Sequence, residues 1–153
     1  MKTRWMDSPV GGLRLHVSAG LLTAIDFGAE ARGAQVADPL LDQVQTQLTE
    51  YFKGERTKFD LPLANDGTEF QQKVWNEVSR IPFGETTTYG TIAQRLGYAP
   101  GISRAVGAAN GANPIPIVVP CHRVIGGSGK LTGYAGGADR KRILLALENP
   151  GLF

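Results

Sequence analysis

The one strong nucleophile in this 153-residue chain is Cys121, its only cysteine. It lies in Asn113-Pro-Ile-Pro-Ile-Val-Val-Pro-Cys-His-Arg-Val-Ile125, between Pro120 and His122, with Arg123 next. Pro114, Pro116 and Pro120 fix φ and remove ladder donors, so the lead-in is expected to be stiff and not a central strand. A rigid approach ending at a thiol beside an imidazole holds sulfur in one place.

A free thiol has a pKa near ~8.5, so only a few per cent is thiolate at neutral pH unless a base or cation helps. His122 is adjacent, yet neighbouring side chains of an extended chain point to opposite sides. Contact between them requires either a sharp turn or a bridging water. Glu148 is the best remaining acid to orient the imidazole, giving a Cys–His–Glu relay of the kind that activates nucleophiles. Taken singly, each residue has a plainer reading. Cys121 could be an inert buried hydrophobe, His122 structural, and Glu148 a solvated carboxylate at a helix end. Tyr89 and Tyr134 could be half-buried aromatics and Arg104 a solvated helix charge. Proline before the cysteine and His-Arg after it nevertheless fit an apolar core poorly.

Composition narrows the setting. A lone cysteine excludes an internal disulfide and suits a reducing compartment. With only His16 and His122 as imidazoles, no Cys/His zinc site is expected. No apolar run approaches the roughly 20 residues that span a bilayer, and no apolar signal segment follows the start. A soluble, cytoplasmic protein with no membrane partner is therefore expected. Net charge is +2, but its distribution is uneven. From Lys73 to Arg142 the bases are Lys73, Arg80, Arg95, Arg104, Arg123, Lys130, Arg140, Lys141 and Arg142, against Glu77, Glu85 and Asp139. The basic surface sits with the cysteine.

The elements that must position these groups fall into two lobes. Arg4 to Asp7, Leu13 to Ser18 and Leu21 to Phe27 read as a β-meander turning at 9–12 and 19–20. Ala29 to Asp38 has no periodicity and reads as a surface loop. Leu40, Leu41, Val44, Leu48, Tyr51 and Phe52 follow helical spacing, with Gly54 past the end. Lys58 to Leu63 could add an extended segment to the sheet, and residues 64–67 read as a linker. Beyond it, Thr68-Glu-Phe-Gln71 has the form of a capping box for a helix that Pro82 stops. Thr88 can cap a short helix through Leu96, and a turn with Gly97 and Gly101 leads to a second, Ile102 to about Asn110. The pair reads as a helix-turn-helix. The second helix carries the small side chains Ser103, Ala105, Gly107 and Ala108 beside Arg104, so its backbone could approach a narrow DNA groove. Residues 126–137 are Gly-rich but lack the Lys-Ser/Thr ending of a P-loop. Asp139 is expected to cap a last helix with Ile143, Leu144 and Leu147 inward and Glu148 on its final turn.

Pro120-Cys-His-Arg-Val124, with Asn113 eight positions before the cysteine, closely resembles the O6-alkylguanine-DNA alkyltransferases, or methylated-DNA–protein-cysteine methyltransferases. The likeness extends through Ser8-Pro-Val-Gly11, Glu50-Tyr-Phe-Lys-Gly54, Phe70 to Trp75, Ile81-Pro-Phe-Gly-Glu85, Tyr89, Arg104-Ala-Val-Gly107, Gly133-Tyr-Ala-Gly-Gly137 and Glu148. It implies an N-terminal α/β ribonuclease H-like domain over 1–66. A mainly α domain with a winged-helix-like helix-turn-helix would follow over 67–153. It implies direct-reversal repair, in which the alkyl group of O6-alkylguanine passes once and irreversibly to Cys121 after nucleotide flipping, without a cofactor. O4-alkylthymine is left open as a second substrate.

By the same resemblance Cys121, His122, Glu148, Tyr89, Asn113 and Lys141 form the catalytic set. Asn113 is the hinge between recognition helix and site, and a water links His122 to the thiol. Arg104 replaces the extruded nucleotide, with Tyr89, Ser103, Ala105, Gly107, Ala108 and Arg123 on the DNA. Val124, Tyr134, Ala135 and Gly136 line the base pocket, where backbone carbonyls of Cys121 and Val124 read the guanine amino group. The developing charge on the leaving guanine needs donors or a proton, for which the Tyr89 hydroxyl and the backbone N–H near Ala135 are the candidates. The partner implied is alkylated double-stranded DNA, entered through the minor groove by a monomer, with cooperative binding left open. No structural zinc is expected, nor a regulatory form with a second acceptor cysteine. Three other readings compete: a non-catalytic lesion-binding module, a Cys-His hydrolase and a plain transcription factor. The first lacks a use for Cys121, the second for the basic helices, the third for the thiol site.

Overall fold

The computed structural model describes residues 1–33, 35–127, 134, 136–151. It divides into two compact units, Met1–Asn65 and Asp66–Phe153.

In the first unit, β1 (Lys2–Met6), β2 (Leu13–Ser18) and β3 (Leu21–Phe27) form an antiparallel sheet in the order β1-β2-β3. Alternation decides the face of β2, where Leu13, Leu15 and Val17 are buried, and a register shift at His16/Val17 lets Leu22 and Ile25 of β3, three residues apart, be buried opposite them. Ala19 and Gly20 both take positive φ, 52° and 78°, matching the two-residue turns whose twist suits a hairpin. Helix α1 (Pro39–Phe52) is capped by Asp38, which accepts from the backbone N–H groups of Leu40 and Leu41. It buries Leu41, Val44, Leu48 and Tyr51. The Lys58 to Leu63 stretch adds only one bridge, Leu63 beside Leu22. Pro62 accepts from the Leu22 N–H at 2.8 Å but has no N–H of its own to extend a ladder.

The surface loop before α1 is tied to the free edge of β1. Gln35 donates to the Trp5 carbonyl at 2.9 Å and accepts from the Trp5 N–H at 3.3 Å, occupying edge groups that would otherwise invite another strand. Arg4, 8% exposed, reaches Asp42, Gln45 and the Val36 carbonyl.

The second unit is mainly helical. Helix α2 (Glu69–Val78) starts with the expected capping box: Thr68 accepts from Gln71 N–H, and Gln71 accepts from Thr68 N–H. A short parallel pair joins β4 (Thr87–Thr88) to β5 (Val124–Ile125). Helix α3 (Tyr89–Arg95) follows β4 directly, capped by Thr88, and ends before Gly97 at φ 80°. One 3₁₀ turn, Pro100–Ile102, leads into α4 (Ser103–Gly111). Trp75 donates its indole N–H to the Ala109 carbonyl at 2.8 Å, fastening α2 to α4. A second 3₁₀ turn, Cys121–Arg123, runs straight into β5. The β4–β5 pairing therefore sets the cysteine turn beside the start of α3.

The last helix, α5 (Gly137–Glu148), corrects two expectations. Asp139 does not cap it; the cap is Gly136, and Asp139 lies in the first turn. Starting at Gly137 also sets the phase, turning Lys141, Leu144, Leu145 and Glu148 inward at positions one and two turns apart. Ile143 is left 40% exposed. Among the described residues no helix is long and apolar enough to cross a membrane.

Gly12 sits where chain meets chain. A Cβ there would lie 2.1 Å from the Ala29 carbonyl oxygen and 2.6 Å from Trp5 Nε1, a pair already joined by a hydrogen bond. Gly12→Ala should therefore destabilise the protein by about 1–3 kcal/mol, read as a lower urea midpoint.

Candidate active site

Asn113 shapes the approach to the thiol. Its Nδ2 donates to the Val119 carbonyl at 2.9 Å, and its Oδ1 accepts from the Ile115 N–H at 3.0 Å. Val119 N–H returns to Ile115 O at 3.0 Å, closing a small loop without a strand. Ile117 within it has φ 73°, a strained conformation for a β-branched residue. Its side chain is 1% exposed, so packing helps hold it there. Cys121 then opens a 3₁₀ turn, but the turn alone does not join imidazole to thiol, since His122 Nδ1 has no partner among the described residues. Its carbonyl accepts from Asn110 Nδ2 at 3.1 Å.

His122 is fully buried, and its Nε2 lies 2.7 Å from Glu148 Oε2. Arg123 grips the same carboxylate through Nε, 2.8 Å from Oε1, and Nη2, 3.0 Å from Oε2, and donates from Nη1 to the Ile81 carbonyl at 2.7 Å. Burial alone would raise the Glu148 carboxyl, but the bonds and charges of His122 and Arg123 outweigh it and hold it at about 2. Burial pushes His122 down, against the pull of Glu148. The carboxylate stays ionised and can only accept, so the neutral imidazole must carry its proton on Nε2. That leaves the Nδ1 lone pair open; among the described residues it has no hydrogen-bond partner. A buried base with a free lone pair stands next to the thiol in sequence.

The thiol needs that base. Cys121 is 3% exposed, and burial pushes it up to about 11, only partly offset by hydrogen bonds from Asn113 and Tyr134 and by the charge of Lys141. Lys141 is itself buried, which lowers it to about 8, while Cys121 acts to raise it. Lys141 Nζ donates to the Val124 carbonyl at 2.5 Å and lies about 6 Å from the rings of Tyr89 (6.0 Å) and Tyr134 (5.9 Å). Burial also raises the Tyr89 phenol. Burial thus favours the neutral thiol over the thiolate at rest.

Cys121, His122, Glu148, Asn113 and Lys141 thus converge in one unit, with Tyr89, Tyr134 and Val124 around them. Gly136 is buried beside the start of α5, and Ala135 lies outside the described residues. Arg104, Ala105 and Ala108 are exposed on α4; Ser103 is held by its Oγ to the Pro100 carbonyl at 2.8 Å, and Gly107 faces Tyr89. Arg123 is the correction. Placed with the DNA contacts in the sequence reading, it is 5% exposed and committed to Glu148 and Ile81. Asn110 was overlooked; three residues before Asn113 in a helix of small side chains, it offered little signal. Among the described residues no three His, Cys, Asp or Glu side chains cluster as a metal site.

Two family models match this chain: the 6-O-methylguanine DNA methyltransferase ribonuclease-like domain over residues 1–65 and the DNA binding domain of the same family over 69–150. The chain belongs to the 6-O-methylguanine DNA methyltransferase family. A methylated-DNA–protein-cysteine methyltransferase of Mycobacterium bovis is 51% identical, over 95% of this chain and 90% of its own. One of the same name from Methanosarcina acetivorans is 48% identical, over 93% and 94%. A crystal structure of Mycobacterium tuberculosis OGT in complex with DNA is 51% identical, superposes with a TM-score of 0.86 and covers 97% of this chain and 92% of that chain.

For this family member the buried carboxylate carries a clear stability signature. Glu148 and His122 are both depressed in the folded state, so each stabilises above its ordinary value, roughly 4.3 and 6.5, and loses that contribution as pH falls through the folded one. Stability should decline from about pH 6.5 downward, and again below the ordinary carboxylate range. Arg123→Ala should cost about 3–5 kcal/mol at pH 7 and shrink the lower-pH step. Urea unfolding across pH reads both; weakened DNA binding at full stability would restore Arg123 to the DNA face.

Proposed function

We propose that this protein repairs DNA by moving the alkyl group from O6 of guanine to its own Cys121 in one irreversible step. The observation that carries the reading is the buried His122–Glu148 pair, its Nδ1 without a partner among the described residues, on the same turn that the buried Cys121 opens. Family membership supplies the substrate class, and a helix-turn-helix in the same unit supplies the means of reaching it.

The chemistry follows from the site. The target carbon lies on a base edge inside the duplex, so the nucleotide must leave the stack, and a damaged pair costs less to open. Exposed Arg104, on the small-sided α4, enters the minor groove and fills the gap, offsetting lost stacking with its planar cation. His122 takes the thiol proton at Nδ1, directly or through a water, and ionised Glu148 stabilises the imidazolium. Sγ attacks the alkyl carbon; the S–C bond forms as the C–O6 bond breaks, and its electron pair stays with guanine. Tyr89 offers a proton to the departing base. The product is a thioether, which no second nucleophile cleaves, so each molecule reacts once, as a monomer and with no cofactor.

Mixed with duplex DNA bearing one O6-methylguanine, the protein should gain a single methyl mass on the Cys121 peptide, saturating at one equivalent. Cys121→Ser should abolish this while retaining lesion binding; transfer by that variant would remove Cys121 as acceptor. Lesion binding without modification of the wild type would instead indicate a protein that flags damage. Arg104→Ala should slow transfer from duplex DNA by at least about tenfold, on the scale of a few kcal/mol for extruding a base. Reaction with free O6-benzylguanine should change little. Equal loss on both substrates would refute the extrusion role.

A further inference from the structure

For Sγ to reach the carbon on O6, the reacting edge of guanine must come against Cys121 itself. Alkylation at O6 leaves N1 without its proton, so the 2-amino group is the one donor on that edge. A flipped base is read by hydrogen bonds to its Watson–Crick edge, and reading this donor needs an acceptor with an open lone pair. The family resemblance implies the backbone carbonyls of Cys121 and Val124 for the task. A carbonyl oxygen has two lone pairs, and both on Cys121 are taken inside the protein. Val124 N–H takes one, closing the 3₁₀ turn Cys121–Arg123. Asn110 Nδ2, from the last turn of α4, takes the other at 3.1 Å. Asn110 is 0% and Cys121 3% exposed, so bulk water does not compete for these bonds. The Val124 carbonyl also holds a donor already, Lys141 Nζ. In the Asn110 amide the donor is the part in use: Oδ1 meets no partner among the described residues, a poor arrangement for packing alone.

We propose that Asn110 sets base specificity: by filling the second lone pair of the Cys121 carbonyl, it removes that carbonyl as a reader of the purine 2-amino group. Transfer then takes O6-alkylated purines as a class, O6-alkylhypoxanthine as well as O6-alkylguanine. The inference rests on the transferase reading above and deepens it. Undamaged bases are still refused, because without an alkyl carbon on O6 the thiol has nothing to attack. Asn110 acts here through the Cys121 carbonyl and does not touch the reacting atoms.

The test compares methyl transfer from O6-methylguanine and from O6-methylhypoxanthine in the same single-stranded oligonucleotide, where no base pair has to open. Single-turnover rates are read by mass spectrometry of the Cys121 peptide. The wild-type rates should differ by less than about threefold, the low end of what one hydrogen bond is worth. Asn110→Leu keeps a branched side chain but not the donor. It frees a lone pair on the Cys121 carbonyl and should raise the preference for guanine to about tenfold. Damage from repacking would slow both substrates alike and leave their ratio where it was, which separates specificity from a merely structural role. Asn110→Ala carries the same expectations if the leucine variant does not fold, and the wild-type comparison needs no variant. A wild-type preference for guanine above about threefold, or a ratio unmoved by the substitution, would overturn the assignment of Asn110 alone. A wild-type protein that takes no methyl group from O6-methylguanine in duplex DNA either would overturn the transferase reading beneath it.

Discussion

The second unit depends on one buried carboxylate. Removing Glu148 from water would be costly by itself; His122 and the Arg123 fork make it tolerable, and each gains a fixed position in return. Because the carboxylate is shared, chemistry and architecture are coupled. Arg123 carries the link to the Ile81 carbonyl after α2, and Glu148 brings in the end of α5. The cysteine lies between β5 and the proline loop, so the elements meeting at Glu148 also frame the thiol. Arg123 further keeps Glu148 a weak base, so that proton transfer stops at the imidazole and does not run on to the carboxylate.

Thiol and amine near it are both pushed toward their neutral forms by burial. Buried surroundings that suppress charge at rest also strengthen the electrostatic response once charge develops, because they screen it less than bulk water does. Burial opposes charging the imidazole, and the ionised Glu148 opposite it offsets part of that cost. Activation therefore belongs to the relay, and the lysine contributes through its field and its hold on the Val124 carbonyl.

Much of this was legible from residue order. Local signals with their own chemistry read through: Thr68 and Thr88 as caps, Ala19-Gly20 as a hairpin turn, and prolines that keep 113–120 out of a sheet. The pairing of His122 with Glu148 also read through, by elimination among few acids. What failed to read depends on phase and depth. The α5 segment has apolar side chains on more than one face, and its start at Gly137, not at an Asp139 cap, decides that Leu145 is buried and Ile143 exposed. Arg123 looks like any basic residue near DNA; only the fold reveals a buried acid waiting for it. Asn110 lay hidden because a small-sided helix draws attention to its surface, while its end is inside.

The 3% exposure of Cys121 has a meaning apart from reactivity. A protein consumed by its own reaction is stored as a reagent, and its shelf life is that of one sulfur atom. Oxidants and mixed-disulfide partners act on accessible thiolate, so a covered, protonated thiol stays off the path to sulfenic and sulfinic acids. The burial that makes the nucleophile slow to ionise thus keeps it reduced until a flipped base arrives, and each molecule made remains a dose of repair capacity.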